Sequence, residues 1–178
     1  MDKIDTIVKE EDGQIYYAGW IEWKHLSGGL IHCWTCIKLN GCWFNSLKMP
    51  DRRQHEKCHC ITEIISKPIE NYNAFAKCDI NKFTNYIFSE KYEWNGKRKL
   101  FEKLGFTIKD AEYLKSEYEK QAVTNYCNGN YQLDALDIYG QRINIVIKFE
   151  RNGRSVEFES GWLVCSKGTI KNTTPLAN

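Results

Sequence analysis

Five of the eight cysteines lie in one stretch of the chain, HCWTCIKLNGCWFNSLKMPDRRQHEKCHC at positions 32–60. The other three, Cys78, Cys127 and Cys165, are scattered singly. This clustering constrains the fold more than any other feature, because neighbouring thiols pair as disulfides, bind a metal or form a redox centre. Each alternative implies a different kind of site.

The composition and the N-terminal sequence favour metal binding by these cysteines over disulfide bonds. The chain has 178 residues, a hydrophobic content of 42% and a formal net charge of +2, which suits a folded globular protein. The near-balanced charge gives no reason to expect a strongly basic nucleic-acid surface. The start MDKIDTIVKEEDG is not a signal peptide, and no apolar run approaches a membrane span. We therefore expect a cytoplasmic protein, in which clustered cysteines more often bind metal than form disulfides.

The spacing of the cysteines matches a structural zinc site. Cys33 and Cys36 form a C-x-x-C pair, and His55 and Cys58 are separated by the same two residues. Structural zinc takes four nitrogen or sulfur ligands, supplied as pairs from two short loops. We predict that four side chains bind Zn²⁺, namely Cys33, Cys36, His55 and Cys58. Cys60 is the alternative fourth ligand.

Other uses of the same cysteines fit the sequence less well. A thioredoxin-like redox pair would require a βαβ pattern, and none surrounds the C-x-x-C. A catalytic zinc keeps one open coordination position. Here the donors exceed four, with Cys42 and His59 as further but weaker candidates, which favours a closed site. The H-x-E and P-C-x-x-C signature of zinc deaminases is absent.

Strand and turn signals surround the cysteine stretch. Residues 14–24, QIYYAGWIEWK, are aromatic and β-prone, and residues 61–65, ITEII, indicate another short strand. Pro68 and the polar ENYNA stretch mark a boundary. We predict a small zinc-stabilised, β-rich module at residues 1–68.

The remaining residues, 69–178, are predicted to form an α+β domain. Helices are expected at about 80–127, with Asp79 as a cap and Thr107 and Asp110 as a capping box. The pattern then changes to period two, and antiparallel strands are expected at about 139–172, joined by an Asn152-Gly153 hairpin turn. The whole chain is therefore predicted to be α+β, with a C-terminal β-meander.

The cysteine stretch resembles the zinc knuckle of Mu-F-type phage head-morphogenesis (minor capsid) proteins. Their pattern is C-x-x-C-x-x-L-[DN]-G, a proline, and H-x-x-C-[RH]-C. The matching residues are Cys33, Cys36, Leu39, Asn40, Gly41, Pro50, His55, Cys58 and Cys60. Pro50 lies farther from His55 than in the family's pattern.

Residues 79–177 resemble an uncharacterised domain at the C-termini of phage minor-capsid-like proteins and some polymorphic bacterial toxins. The resemblance implies an origin in a phage or mobile element and a location in the cytoplasm of a bacterial host.

Three functions follow from these features. The first is a non-enzymatic accessory protein that binds a protein partner, with inhibition of a host defence system as one role implied by the resemblance. The second is a metal-independent ribonuclease in the C-terminal half, which contains no histidine. Its candidate residues are Lys97, Arg98, Arg142, Arg154, Lys167, Lys171 and Thr173. The third is nucleic-acid binding by the zinc knuckle, with Trp34, Trp43 and Phe44 as the candidates for stacking on bases and the small core of the module as their alternative role. The phosphate-contacting candidates are Lys38, Lys48, Arg52, Arg53 and Lys57.

We expect the protein not to be an enzyme, because no carboxylate cluster suited to Mg²⁺ is evident.

Overall fold

The computed structural model describes residues 9–11, 14–16, 19–26, 33–51, 58–65, 74–91 and 96–177, the first two ranges by their backbone alone. Within them lie ten strands: β1 (Lys9–Glu11), β2 (Gln14–Tyr16), β3 (Trp20–Lys24), β4 (Trp43–Asn45), β5 (Ile61–Ile64), β6 (Phe75–Lys77), β7 (Gln132–Asp137), β8 (Gly140–Arg151), β9 (Arg154–Val164) and β10 (Thr169–Thr174). The α-helices are α1 (Trp34–Leu39), α2 (Lys97–Lys103) and α3 (Ala111–Cys127). A π-helix spans Lys82–Ile87 and a 3-10 helix spans Ile108–Asp110.

The chain divides into two compact units. The first contains residues 1–74, 132–143 and 163–169, and the second contains residues 75–131, 144–162 and 170–178. The predicted boundary between residues 68 and 69 lies outside the described residues and stays a prediction.

The first unit contains a three-stranded antiparallel sheet with the order β4-β3-β5. The central strand β3 buries Trp20, Ile21 and Trp23. Aromatic and β-branched side chains of this kind favour a pleated, half-buried strand. Strand β3 pairs on one edge with β4, which lies within the cysteine stretch, and on the other edge with β5, which follows it. Strands β1 and β2 form a separate antiparallel pair.

The second unit packs helix α3 against a sheet face. The buried residues of α3 recur at helical spacing, and they are Ala111, Leu114, Tyr118, Ala122 and Tyr126. On β8 the buried side chains alternate with exposed ones, as expected for a sheet with one covered face. The ring of Tyr118 lies 5.6 Å from that of Phe149 and 6.0 Å from that of Phe158, centroid to centroid. These contacts place the core between helix and sheet.

The larger sheet confirms the predicted α+β class. Its strand order is β6-β10-β9-β8-β7, so the last four strands in sequence form a meander. The turn between β8 and β9 has positive φ at both Asn152 (54°) and Gly153 (70°), which is the requirement of a type I′ hairpin. The capping box at Thr107 and Asp110 is also present.

Two elements differ from the sequence-based expectation. The first expected helix is a π-helix, in which Phe88 N donates to Phe83 O at 2.9 Å, five residues back. Strand β7 was not predicted, because QLDALD carries two aspartates and no regular alternation. Within the described residues, no helix is long and apolar enough to cross a membrane.

Candidate metal centre

Strand β3 brings the two cysteine segments together. On one edge, Trp23 N donates to Cys42 O at 2.8 Å, and Gly41 N donates to Trp23 O at 2.7 Å. On the other edge, β5 pairs with β3 so that Lys24 lies opposite Ile61. Cys60 immediately precedes Ile61, so this register carries it to the end of β3. Cys36 and Cys58, which are 22 residues apart in the chain, are thereby brought together.

Three cysteine sulfurs form a compact cluster. The sulfur atoms of Cys36, Cys58 and Cys60 all lie within 4.8 Å of one another, and those of Cys36 and Cys58 are 3.6 Å apart. In a tetrahedral site with zinc–sulfur bonds of about 2.3 Å, neighbouring sulfurs are about 3.8 Å apart, whereas a disulfide bond is about 2.05 Å long. The sulfurs therefore have the spacing of ligands to one metal ion rather than of bonded partners.

Cys33 lies beside this cluster at the start of helix α1. It is the N-terminal cap residue, with an extended backbone, and its thiol contacts Cys36. Burial alone would raise the pKa of the Cys33 thiol, but hydrogen bonds with the backbone and the side chains of Cys36 and Thr35 outweigh it, so that the pKa is lowered. Those hydrogen bonds favour the thiolate, which is the metal-binding form.

The pKa values of Cys36 and Cys60 are shifted in the opposite direction. Burial raises the pKa of Cys36, and the neighbouring thiols of Cys60, Cys33 and Cys58 raise it further. Burial also raises the pKa of Cys60. Several thiolates packed this closely repel one another, and a cation among them removes that repulsion. The four-cysteine cluster can therefore hold a metal ion.

The remaining candidates for the site have different surroundings. His55 lies outside the described residues, and its assignment as a ligand stays a prediction. His59 is exposed. Cys42 is buried and its thiol donates toward Lys38 O (3.4 Å) and Val164 O (3.7 Å); burial raises its pKa to about 12. Cys42 therefore belongs to the protein core.

Two residues that the sequence did not single out lie next to Cys60. The sulfur of Cys60 is 3.6 Å from Nδ1 of His25, and the fully buried indole of Trp23 also contacts this thiol. Trp23 is part of β3, and His25 follows the strand. The sequence did not indicate that either residue meets Cys60, because the pairing of β3 with β5 is a long-range contact.

The aromatic residues near the cysteines have different exposure. Trp43 and Phe44 are buried, whereas Trp34 is 69% exposed although it directly follows Cys33. Lys38 is exposed on the same helix, one turn after Trp34, and Lys48 is exposed beyond β4. Arg52, Arg53 and Lys57 lie outside the described residues. Of these three aromatic side chains, Trp34 is therefore the one available to a partner.

Most of the ribonuclease candidates have structural partners. Lys97 Nζ donates to Tyr86 Oη and to Leu176 O. Arg154 donates to Lys103 O at 2.8 Å. Three others occupy similar roles: Arg98 pairs with Glu102, Arg142 pairs with Asp137, and Lys167 is a positive-φ turn residue.

The last two ribonuclease candidates lie on β10. Lys171 is exposed, and the backbone carbonyl of Thr173 accepts a hydrogen bond from Lys82 Nζ at 2.7 Å.

No family model, curated protein or solved structure matches the chain.

Proposed function

We propose that Cys33, Cys36, Cys58 and Cys60 bind a structural zinc ion that stabilises the first unit. The observation that carries this proposal is the mutual approach of three sulfurs to within 4.8 Å. Four thiolates are a complete ligand set for a closed zinc site, in which zinc contributes folding free energy. Cys60 is preferred to His55 because its sulfur is a member of the described cluster.

Elemental analysis of the purified protein tests this proposal. We expect about one equivalent of zinc per chain and a sharp fall in melting temperature on chelation. Cys33→Ser should lose zinc and stability, whereas Cys127→Ser, which changes a thiol at the end of α3, should keep both. Metal-free protein of undiminished stability would refute the proposal.

We propose further that the protein acts by binding a protein partner, with Trp34 at the centre of the contact. An exposed tryptophan next to a rigid metal site is typical of binding hot spots, because it offers a large contact area at little entropic cost. The turn between β7 and β8 lies close by, since a side chain at Gly140 would come within 3.8 Å of Lys38 Cβ. That turn exposes two further large side chains, Ile138 and Tyr139.

The resemblance to phage minor capsid proteins supports the choice of a bacterial host as the source of the partner. On that resemblance alone, we propose a phage or mobile-element accessory protein, with components of host defence systems as the first partners to test. The structural roles of Lys97, Arg98, Arg142 and Arg154 favour binding over the ribonuclease alternative.

Affinity purification from the host with wild-type and Trp34→Ala bait tests the binding proposal. We expect Trp34→Ala to retain zinc and lose the partner. Leu47→Ala is the control, because Leu47 is similarly exposed (74%) in the same unit.

Binding of single-stranded nucleic acid that depends on Trp34 and weakens steeply with salt would favour the nucleic-acid alternative. Cleavage of RNA by the purified chain, abolished by Arg142→Ala without loss of stability, would favour the ribonuclease.

A further inference from the structure

Two ring nitrogens of the first unit, one from His25 and one from Trp23, are candidates for hydrogen bonds to the sulfur of Cys60. Nδ1 of His25 lies 3.6 Å from this sulfur. The indole Nε1 of Trp23 is fully buried and has no hydrogen-bond partner of good geometry within the described residues. In the pairing of β3 with β5, Trp23 lies opposite Thr62. Because side chains alternate along a strand, the indole is on the same face as the side chain of Cys60, two residues before Thr62. The upward shift that burial causes in the pKa of Cys60 is opposed by Trp23, in agreement with this placement.

The backbone fixes both side chains in these positions. Trp23 exchanges hydrogen bonds with Gly41 and Cys42 through its own N–H and C=O groups. His25 N donates to Asn40 Oδ1 at 2.9 Å. The two side chains are thus held by the turn that follows the first pair of cysteines, while Cys60 belongs to the second pair.

The chemistry of a four-thiolate site requires such donors. Four thiolates and one Zn²⁺ carry a net charge of −2, and buried negative charge is stabilised by N–H groups directed at the sulfurs. A metal-bound thiolate has no proton to donate, so it accepts hydrogen bonds only. His25 would then carry its proton on Nδ1, and the unpaired indole N–H of Trp23 would gain an acceptor.

We propose that Trp23 and His25 form the outer hydrogen-bond shell of the metal site by donating to the metal-bound sulfur of Cys60. This inference rests on the proposed zinc site. Strand β3 then has two roles. It joins the two segments that carry the cysteine ligands, and its Trp23 influences the electron density on the sulfur of Cys60. Both are positioning residues, since they act on the metal through Cys60.

The first test uses Trp23→Phe, which keeps an aromatic ring and removes the N–H. Zinc affinity, measured by competition with a chelator, should weaken by about 10- to 100-fold. In the Co²⁺-substituted protein, the thiolate-to-cobalt absorption band should move to lower energy, because the sulfur retains more electron density. Trp43→Phe is the matched control: Trp43 is also buried in this unit, but its N–H donates to Glu22 at 3.3 Å. It should leave the cobalt band unchanged.

The second test separates a donor from a ligand at position 25. His25→Asn places an amide N–H near the position of Nδ1 and should retain most of the affinity, whereas His25→Leu should lose about 10-fold or more. If His25→Asn and His25→Leu abolish metal binding equally, His25 is a direct ligand and the proposal is wrong.

Different results would contradict the zinc site and its outer hydrogen-bond shell. Wild-type protein that shows no thiolate-to-cobalt band would overturn the zinc site itself. A normal wild-type band that is unmoved in both Trp23→Phe and His25→Leu would overturn only the outer shell. A band that moves equally in Trp23→Phe and Trp43→Phe would also overturn it, since the effect would then follow from general loosening of the core.

Discussion

Cys60 and His55 compete for the fourth ligand position, and single substitutions distinguish them. We expect Cys60→Ser to reduce bound zinc from about one equivalent to a small fraction, because it removes a member of the sulfur cluster. His55→Ala should retain zinc. Elemental analysis after gel filtration measures both variants. Retention by Cys60→Ser together with loss by His55→Ala would restore the set Cys33, Cys36, His55 and Cys58.

Gly168 offers a second test at the scale of one residue. It has φ of +71°, and an added Cβ would lie 2.5 Å from ring atoms of the buried Trp43. Gly168→Ala should lower the free energy of unfolding by about 3 kcal/mol, the sum of a left-handed backbone cost and overpacking. Gly153 has φ of +70° but open space around it, so Gly153→Ala should cost only about 1 kcal/mol. Denaturant unfolding gives both values; equal losses would show that the contact with Trp43 does not matter.

Some residues of the site were predictable and others were not. The two-residue spacing of Cys33 and Cys36 is a local signal, because a short turn suffices to direct both thiols toward one point. Trp23 and His25 belong to the site only because β3 pairs with β5 in one register. Pairing between strands separated by the whole cysteine stretch leaves no local trace in the sequence.

At the scale of the element, the start of helix α3 carries a testable electrostatic contribution. Asp110 accepts hydrogen bonds from Thr107 N (2.7 Å) and pairs with Arg151 (3.0 Å). The backbone N–H of Thr107, followed by Arg151, lowers the pKa of Asp110 from its usual 3.8. Because the folded-state pKa is depressed, the stabilisation is present above about pH 4 and is lost as the pH falls through the folded value.

Asp110→Ala should therefore reduce the free energy of unfolding by about 1 kcal/mol at pH 7, and the difference from wild type should shrink below pH 4. Glu112→Ala, which removes another acidic side chain from the same turn, serves as the control and should cost a few tenths of a kcal/mol. Denaturant titrations across this pH range measure both. A difference that stays constant down to pH 2 would contradict the role of the carboxylate.

The predictability of elements follows the strength of their local patterns. Strands β8 and β9 were predicted from alternation and from the Asn152-Gly153 turn, and the helical region from its capping residues. The same helical signal cannot distinguish a π-helix from an α-helix, since the two differ only in which carbonyl accepts each hydrogen bond. Strand β7 depends on pairing with its neighbour and lacks a pattern of its own.

At the scale of the whole molecule, all four proposed ligands belong to the first unit. Removing zinc should therefore raise amide hydrogen exchange chiefly in β3, α1 and β5, while α3 stays protected, because proteins open in cooperative sub-units. Hydrogen exchange read by mass spectrometry, with and without chelator, provides the comparison. A uniform rise across both units would show that the metal stabilises the chain as one cooperative body.

The central claim is that the clustered cysteines bind one zinc ion. X-ray absorption at the zinc edge of the purified protein tests it most directly, because it counts the ligand atoms and gives their distances. A four-cysteine site predicts four sulfur atoms at about 2.3 Å from the zinc. Three sulfurs with one nitrogen at about 2.0–2.1 Å would replace one cysteine with a histidine. Zinc surrounded by oxygen and nitrogen alone, or no bound zinc, would contradict the claim.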